Sequence, residues 1–593
     1  MPLIETIRLK LGSLNALPIL AVMGLVSGLL AGGVVILFRL FIESGVILWH
    51  RGDGNEKLEF APWWIRLLLP LIGGFLVGYV LHKVGKERRQ VGVGHVLERM
   101  TFHQGYLSWR NAVVQFLVGG LTIATGQSVG REGPSIHLGS TAGSWLGQQM
   151  NLPNNSIRIL VGCGTAAAIS ASFNTPLAGV IFAMEVVMME YAVTSFIPLI
   201  LASVSAAILS RIVFGNDVAF IVPSLDLVSL WEIPYFIFLG LIIGCVASVF
   251  IIATRIVASR TISWPSWLKC GTAGTCVGIL ALGAPQIMGI GYDTVNSALH
   301  SDLSIQILAI AFIGKLLATI ICSGLSLPGG VIGPAMFIGA MIGGLLGSLG
   351  GLILPEYASE YAFYSMIGMS SMMSAILQAP LAALMALLEL TNNPNILLPG
   401  MLVLVISNLV VSQLFKQPSI FQSQMKVKGL DLKVSPLSQF LRSVGVAGLM
   451  ERKVAVSNRI ISYQEAESLL DTTPRWILIK EDNAPKSLMA ANDLARYFIA
   501  QKEADEQARQ KAEEQEEEFK SELGDIDLLS IPADRQDIAS VYLQGNLEQA
   551  LDTMEREQVD AVYIFRTTTP TTDKIYGVLT REVIESHYSY KSS

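Results

Sequence analysis

Gly130-Arg131-Glu132-Gly133-Pro134-Ser135-Ile136-His137-Leu138-Gly139 returns, at an offset of 200, as Gly330-Val331-Ile332-Gly333-Pro334-Ala335-Met336-Phe337-Ile338-Gly339. Gly130, Gly133, Pro134, Gly139, Gly143, Leu146 and Gly147 recur at that offset. A second pair follows at an offset of 204, with Pro176-Leu177-Ala178 and Glu185 matched by Pro380-Leu381-Ala382 and Glu389. Gly164, Ser170 and Ala171 recur at the same spacing. Two blocks at nearly one offset describe a chain built of two related halves.

Each GxxGP block has the composition of a helix start, with glycines for close approach and Pro early in the first turn. A helix N-terminus offers unpaired backbone N–H groups and the positive end of a dipole, which suits an anion. Two such ends facing each other hold a small anion with no lysine, which would bind too tightly to release it. The same glycines also let helices pack closely in a membrane. The acid Glu132 inside one block favours the ion-site reading, and related halves place that site where broken helices meet.

Working outward, the 593 residues are 52% apolar and 15% charged, against about 25% charged in soluble domains. The mean hydropathy of +0.53 averages an apolar regime up to about residue 425 and a charged one beyond it. Leu17 to Ile42, Trp63 to Leu81, Ile233 to Ile252, Ile305 to Ile321 and Ile396 to Leu414 approach the roughly 20 apolar residues a spanning helix needs. Other apolar segments are shorter or interrupted, which predicts half-length or re-entrant helices. The N-terminal stretch reads as a span rather than a signal peptide, because it is long and lacks a small-residue cleavage site.

Lys83, Lys86, Arg88, Arg89 and Arg99 outweigh the mixed segment of Arg51, Asp53, Glu56 and Lys57, which places the N-terminus and the charged tail in the cytoplasm. A net charge of −6 without a basic stripe excludes a nucleic-acid partner. Cys163, Cys245, Cys270, Cys276 and Cys322 form no CxxC and read as small buried residues, with no metal site. No HExxH occurs, so an intramembrane enzyme is the weakest functional class and no catalytic residue is assigned.

At these residues the chain resembles the chloride channel and transporter (CLC) family. Gly130 to Pro134 matches its G(K/R)EGP element, Phe173 to Gly179 with Glu185 its FNxPLAG helix, and Gly330 to Pro334 its GxFxP element. Gln417-Pro418-Ser419 is similar to the start of its last membrane segment. The resemblance covers about residues 15 to 430. It implies a homodimer with a separate anion pathway in each subunit, two inverted halves, and Glu132 as the gate. A carboxylate there competes with the anion for N–H donors, and protonation releases it. The candidate anion contacts are Gly130, Arg131, Gly133, Val331, Ile332, Val93 and Phe421, with Arg131 orienting the loop more than touching the anion.

Departures from the family pattern matter as much. Its GSGIP motif reads Gly92-Val93-Gly94-His95-Val96 here, so Val93 replaces a serine, and Phe421 stands where a central tyrosine is expected. His95 is read as a lone loop histidine with a structural role. Proton-coupled members commonly carry an acid one residue after Glu185; here it is Val186. Glu185 and Glu389 read as structural acids. Glu190, at i+4 from Val186, is expected on the same helix face, so Glu185, Val186 and Glu190 are the proton-pathway candidates.

The tail carries two βαββα units, one from Val454 to the helix near Asn492 and one from about Val541, separated by a charged run at 501–523. The pair resembles the CBS domains of many CLC members. That resemblance implies adenine nucleotide as a candidate ligand at Asp493; the equivalent position of the second unit is Val583. The fold expected is an all-α polytopic membrane bundle of two inverted-topology repeats with broken helices (about 15–215 and 230–430, within 1–430), followed by an α/β CBS pair over 431–593. The function expected is chloride or similar small-anion transport in the cell membrane, as a voltage- or pH-gated channel on the strength of Val186, with a proton-coupled antiporter as the alternative. No cofactor is required.

Overall fold

A computed structural model describes residues 17–49, 58–85, 89–215, 220, 229–353, 359–431, 436–482, 484–514, 524–569 and 572–592. Arg51, Asp53, Glu56, Lys57, Lys86 and Arg88 of the orientation argument, and residues 515–523 of the charged run, lie outside them. The chain divides into one unit of Leu17–Met150 with Ser156–Val434 and another of Ser435–Ser593 with Asn151–Asn155.

The first unit is helical. Its helices are α1 (Leu17–Trp49), α2 (Trp63–Lys83), α3 (Gly92–Phe102), α4 (Trp109–Ala124), α5 (Glu132–Gln149), α6 (Asn154–Phe173), α7 (Pro176–Phe182) and α8 (Val193–Phe214). They continue as α9 (Ile233–Arg260), α10 (Ser266–Gly283), α11 (Tyr292–Leu299), α12 (Ile305–Gly324), α13 (Ile332–Ile353), α14 (Tyr361–Leu377), α15 (Pro380–Thr391), α16 (Leu397–Leu409) and α17 (Ile420–Val427). Eight helices among the described residues are long and apolar enough to cross a membrane. Asn154–Phe173, Val193–Phe214 and Ile332–Ile353 join the five stretches read from composition; Gly, Ser and Pro interrupt their apolar runs. The apolar helices of α7 with its extension, α14 and α15 are too short to count among them.

The repeat survives as packing. The order α4 to α7 recurs as α12 to α15. Gly139 of α5 meets α6 so closely that a Cβ would stand 2.4 Å from the Gly164 carbonyl oxygen. Gly339 of α13 meets α14 the same way, at 2.2 Å from the Gly368 oxygen. Any side chain at either glycine would push its helix pair apart, which is why both blocks keep the residue.

Contacts between the halves are reciprocal. Gly130 N–H donates to the Gly330 carbonyl at 2.8 Å and Gly330 N–H to the Gly130 carbonyl at 2.7 Å. Glu389 accepts from the N–H groups of Leu177 (2.9 Å) and Ala178 (2.7 Å) at the start of α7. Glu185 accepts from Leu381 (3.3 Å) and Ala382 (2.7 Å) at the start of α15. Each acid of the matched pair caps the other half's Pro-initiated helix, supplying orphan first-turn donors with an acceptor.

The second unit holds β1 (Val454–Asn458), β2 (Ile460–Ile461), β3 (Trp476–Glu481), β4 (Ala484–Ala490), β5 (Ile526–Asp527), β6 (Arg535–Tyr542), β7 (Ala561–Thr569) and β8 (Thr572–Thr580). Six strands form one sheet in the order β1-β3-β4-β6-β7-β8, with β1–β3 and β6–β7 parallel and the other pairs antiparallel. Each parallel pair encloses a helix, Tyr463–Asp471 or Leu547–Glu557, and each antiparallel hairpin, β3–β4 or β7–β8, is followed by one, Ala491–Glu514 or Arg581–Ser592. The βαββα order therefore occurs twice, with β4 and β6 as the seam. The charged run is helical as far as Glu514.

Candidate functional site

The first turns of α5 and α13 start beside the Gly130–Gly330 bridge. Gly133 packs so tightly there that a Cβ would lie 2.7 Å from the Gly330 Cα. First-turn N–H groups lack intrahelical partners, so two sets of donors converge with no basic side chain required. Ile332 opens α13, and Ile332 and Val331 are buried.

Glu132 is the first residue of α5 and is fully buried. Its Oε2 accepts from the Gly333 N–H at 3.2 Å, so the carboxylate occupies a donor that an anion would use. A Cβ on Gly130 would stand 2.1 Å from that oxygen, and one on Gly333 3.1 Å from Oε1. These glycines are what let a carboxylate lie against both blocks. Arg131, buried beside it, donates to the Ser172 carbonyl at 3.2 Å, and its guanidinium carbon lies 5.4 Å from the Tyr292 ring centroid. Arg131 thus ties α5 to the end of α6.

Sequence reading missed two residues. Tyr292, first in α11, donates its hydroxyl to Glu132 Oε1. Lys315, fully buried in α12, donates to the carbonyls of Ile287 (3.0 Å), Gly289 (2.8 Å) and Ile290 (3.3 Å). It fixes the turn that delivers Tyr292. The signal for Lys315 was present: a lone lysine inside a span is functional by default. Tyr292 carried only a glycine-rich turn before it.

Beside the bridge, with Gly330 in its wall, is a cavity of about 290 Å³. Gly92, Val93, Gly94, Gly329, Gly330, Val331 and Phe421 line it, and Arg89, Lys269 and Lys428 contribute positive charge. Val93 and Phe421 therefore share one chamber with the backbone of the second block. Glu132 does not line it, and the chamber stops short of the buried carboxylate.

Two expectations are corrected. His95 lies within α3, not in a loop, and is paired: its Nδ1 is 2.9 Å from His137 Nε2. Glu190 does not share a helix face with Val186. After α7 the chain widens into a π turn over Ala183–Met188, and Met189 adopts φ 55°, which ends the helix. The i+4 relation fails because neither the turn nor its continuation is α-helical. Val186 is buried in the π turn, and Glu185 caps α15. Asp493 sits in the first turn of Ala491–Glu514, 4.0 Å from Arg496.

Residues 73–412 match the family described as "Voltage gated chloride channel". The protein named "Putative chloride channel protein ClcB-like" of Ralstonia nicotianae is 32% identical over 413 residues, 68% of this chain and 95% of that one. The "H(+)/Cl(-) exchange transporter ClcA" of Vibrio cholerae is 27% identical over 391 residues, 64% of this chain and 83% of its own. A eukaryotic CLC transporter of known structure superposes with a TM-score of 0.59 at 17% identity, covering 95% of this chain and 97% of the other.

Proposed function

The chain belongs to the voltage-gated chloride channel (CLC) family and is a multi-pass membrane protein that transports anions, and from this premise we propose that it is a proton-coupled anion exchanger gated by Glu132. The observation that carries the reading is the Glu132 carboxylate on the Gly333 N–H, fully buried and outside the Val93–Phe421 chamber. Carboxylate and anion compete for one set of donors, so the anion passes when the acid is protonated and withdrawn. That competition ties the movement of a proton to the movement of an anion. A relative named an H(+)/Cl(−) exchange transporter supports the coupled reading over the passive channel, whose one structural support is the apolar Val186.

In this reading Gly130, Gly133, Val331 and Ile332 present backbone to the ion, and Val93 and Phe421 shape its chamber. The two halves are inverted in the membrane, as their reciprocal contacts suggest, the termini face the cytoplasm, and two subunits each carry their own pathway. The tail acts as a CBS pair, with adenine nucleotide its candidate ligand at Asp493. No cofactor is needed for transport.

The test reconstitutes the purified full chain in liposomes, imposes a chloride gradient and records internal pH. Uphill proton movement driven by chloride is expected. Chloride movement without it would leave the passive channel as the function.

A further inference from the structure

Coupled exchange needs a proton route to Glu132, and the position where the family resemblance led one to look holds the apolar Val186. Glu185 is engaged as a helix cap, and Glu190 lies beyond the helix end. The route must use other titratable groups. α3 packs against α5, which carries Glu132, and against the π turn, which carries Val186. It also supplies Gly92, Val93 and Gly94 to the chamber wall. The residue next along it is His95.

His95 Nδ1 and His137 Nε2 are 2.9 Å apart, with both rings buried. One nitrogen donates and the other accepts, so the bridge holds one proton between two groups that can each take another. His137 Nδ1 is buried with no hydrogen-bond partner among the described residues. His137 is on the gate helix, five residues from Glu132, which is a backbone rise of about 7.5 Å and a turn of about 140° around the axis, so water must bridge the two side chains. Glu98 lies on α3 at i+3 from His95, on the same face, and its buried Oε2 likewise has no partner among the described residues. Burying polar atoms unpaired is costly, and water joining these atoms would complete a chain of proton carriers. The charged or titratable groups around His95 among the described residues include His137, Glu98, Arg99, Lys428 and His103.

We propose that the His95–His137 pair relays protons between the Val93–Phe421 chamber and Glu132. This rests on the exchanger reading above. In the forward step, a proton from chamber water binds His95 Nε2 while His95 Nδ1–H donates to His137 Nε2. The Nδ1 proton passes to His137, which releases its own Nδ1 proton through water to the Glu132 carboxylate. Both rings end neutral in the opposite tautomer and one proton has crossed the pair; each ring then regains its starting tautomer by taking a proton from water at one nitrogen and giving one to water at the other, so the transferred proton is not returned.

The experiment measures chloride flux and chloride-driven proton uptake in liposomes for the full chain, His137→Gln and His95→Gln. Glutamine keeps volume and a hydrogen bond but cannot carry a proton through. The expected result is a proton-to-chloride ratio lower by about 100-fold, the scale of losing a positioned acid–base group, with chloride flux retained because Glu132 still gains and loses protons on the side away from the chamber. An unchanged ratio in both variants, with a coupled wild type, overturns the relay and leaves the exchanger reading intact. A wild type that moves no protons overturns both. Loss of both fluxes in both variants assigns the pair to packing and also ends the proposal.

Discussion

The hydroxyl of Tyr292 donates a hydrogen bond to the carboxylate of Glu132, 160 residues earlier in the chain. The same carboxylate accepts from the Gly333 N–H, so donors at two other helix starts, those of α11 and α13, hold it in place. Lys315 secures the turn before Tyr292 through three carbonyls. Tyr292→Phe removes one donor and leaves the ring. A hydrogen bond to a charged group contributes roughly 1.5–3 kcal/mol, so release of the gate should become about 10–100-fold easier. Chloride efflux from liposomes at neutral pH should rise accordingly; an unaltered efflux rate would show that the phenol does not restrain the gate.

Replacing the gate itself gives a different signature. Glu132→Gln cannot ionise, so it never competes with the anion as a charge. Wild-type flux should rise as pH falls, because protonation frees the donors. The variant should carry chloride at a rate nearly independent of pH and move no protons. Efflux measured across a pH series decides it, and a steep pH profile persisting in the variant would place the gate elsewhere.

Glu185 and Glu389 tie the halves together, each capping the other half's short helix. Loss of such a cap costs about 0.5–2 kcal/mol. Glu185→Ala and Glu389→Ala should each lower the melting temperature in detergent, and Glu185→Ala should keep the wild-type proton-to-chloride ratio. A lost ratio at wild-type stability would return Glu185 to the proton pathway.

What could be read from the sequence was local or periodic. The GxxGP blocks announce helix starts because Gly and Pro act on their own backbone, and α5 and α13 do begin there. The matched offsets preserve the glycine crossings, since each serves the same helix pair in both halves. The rest depends on residues distant in sequence. Nothing near His95 announces His137, 42 positions away, so it read as a lone loop histidine. Nothing near Tyr292 announces Glu132. The π turn defeated the reading of Glu190, because spacing arguments assume the α period that Ala183–Met188 abandons. The capping partners of Glu185 and Glu389 were invisible for the same reason, although their matched offset marked them as a pair.

Val93 and Phe421 line one chamber with Gly330 and Val331, on positions where the family pattern leads one to expect hydroxyls. At the Val93–Phe421 end neither side chain offers an anion a donor, which leaves it to the backbone of the second block, with the Thr319, Ser323 and Ser326 hydroxyls and the charges of Arg89, Lys269 and Lys428 elsewhere on the wall. Chloride should therefore be held weakly, and larger, less hydrated anions should lose less on entering, because desolvation costs them less. Val93→Ser together with Phe421→Tyr restores two hydroxyl donors without changing the backbone. Each new hydrogen bond to the charged anion is expected to add at least about 1.5 kcal/mol, so the pair should tighten chloride binding by roughly 100-fold or more in calorimetry. The gain should be larger for chloride than for bigger anions, since a fixed donor pair favours the ion whose charge is most concentrated. Equal gains for all anions would mean that the hydroxyls act on the chamber's field alone, and no gain would mean that the anion does not rest between these two residues.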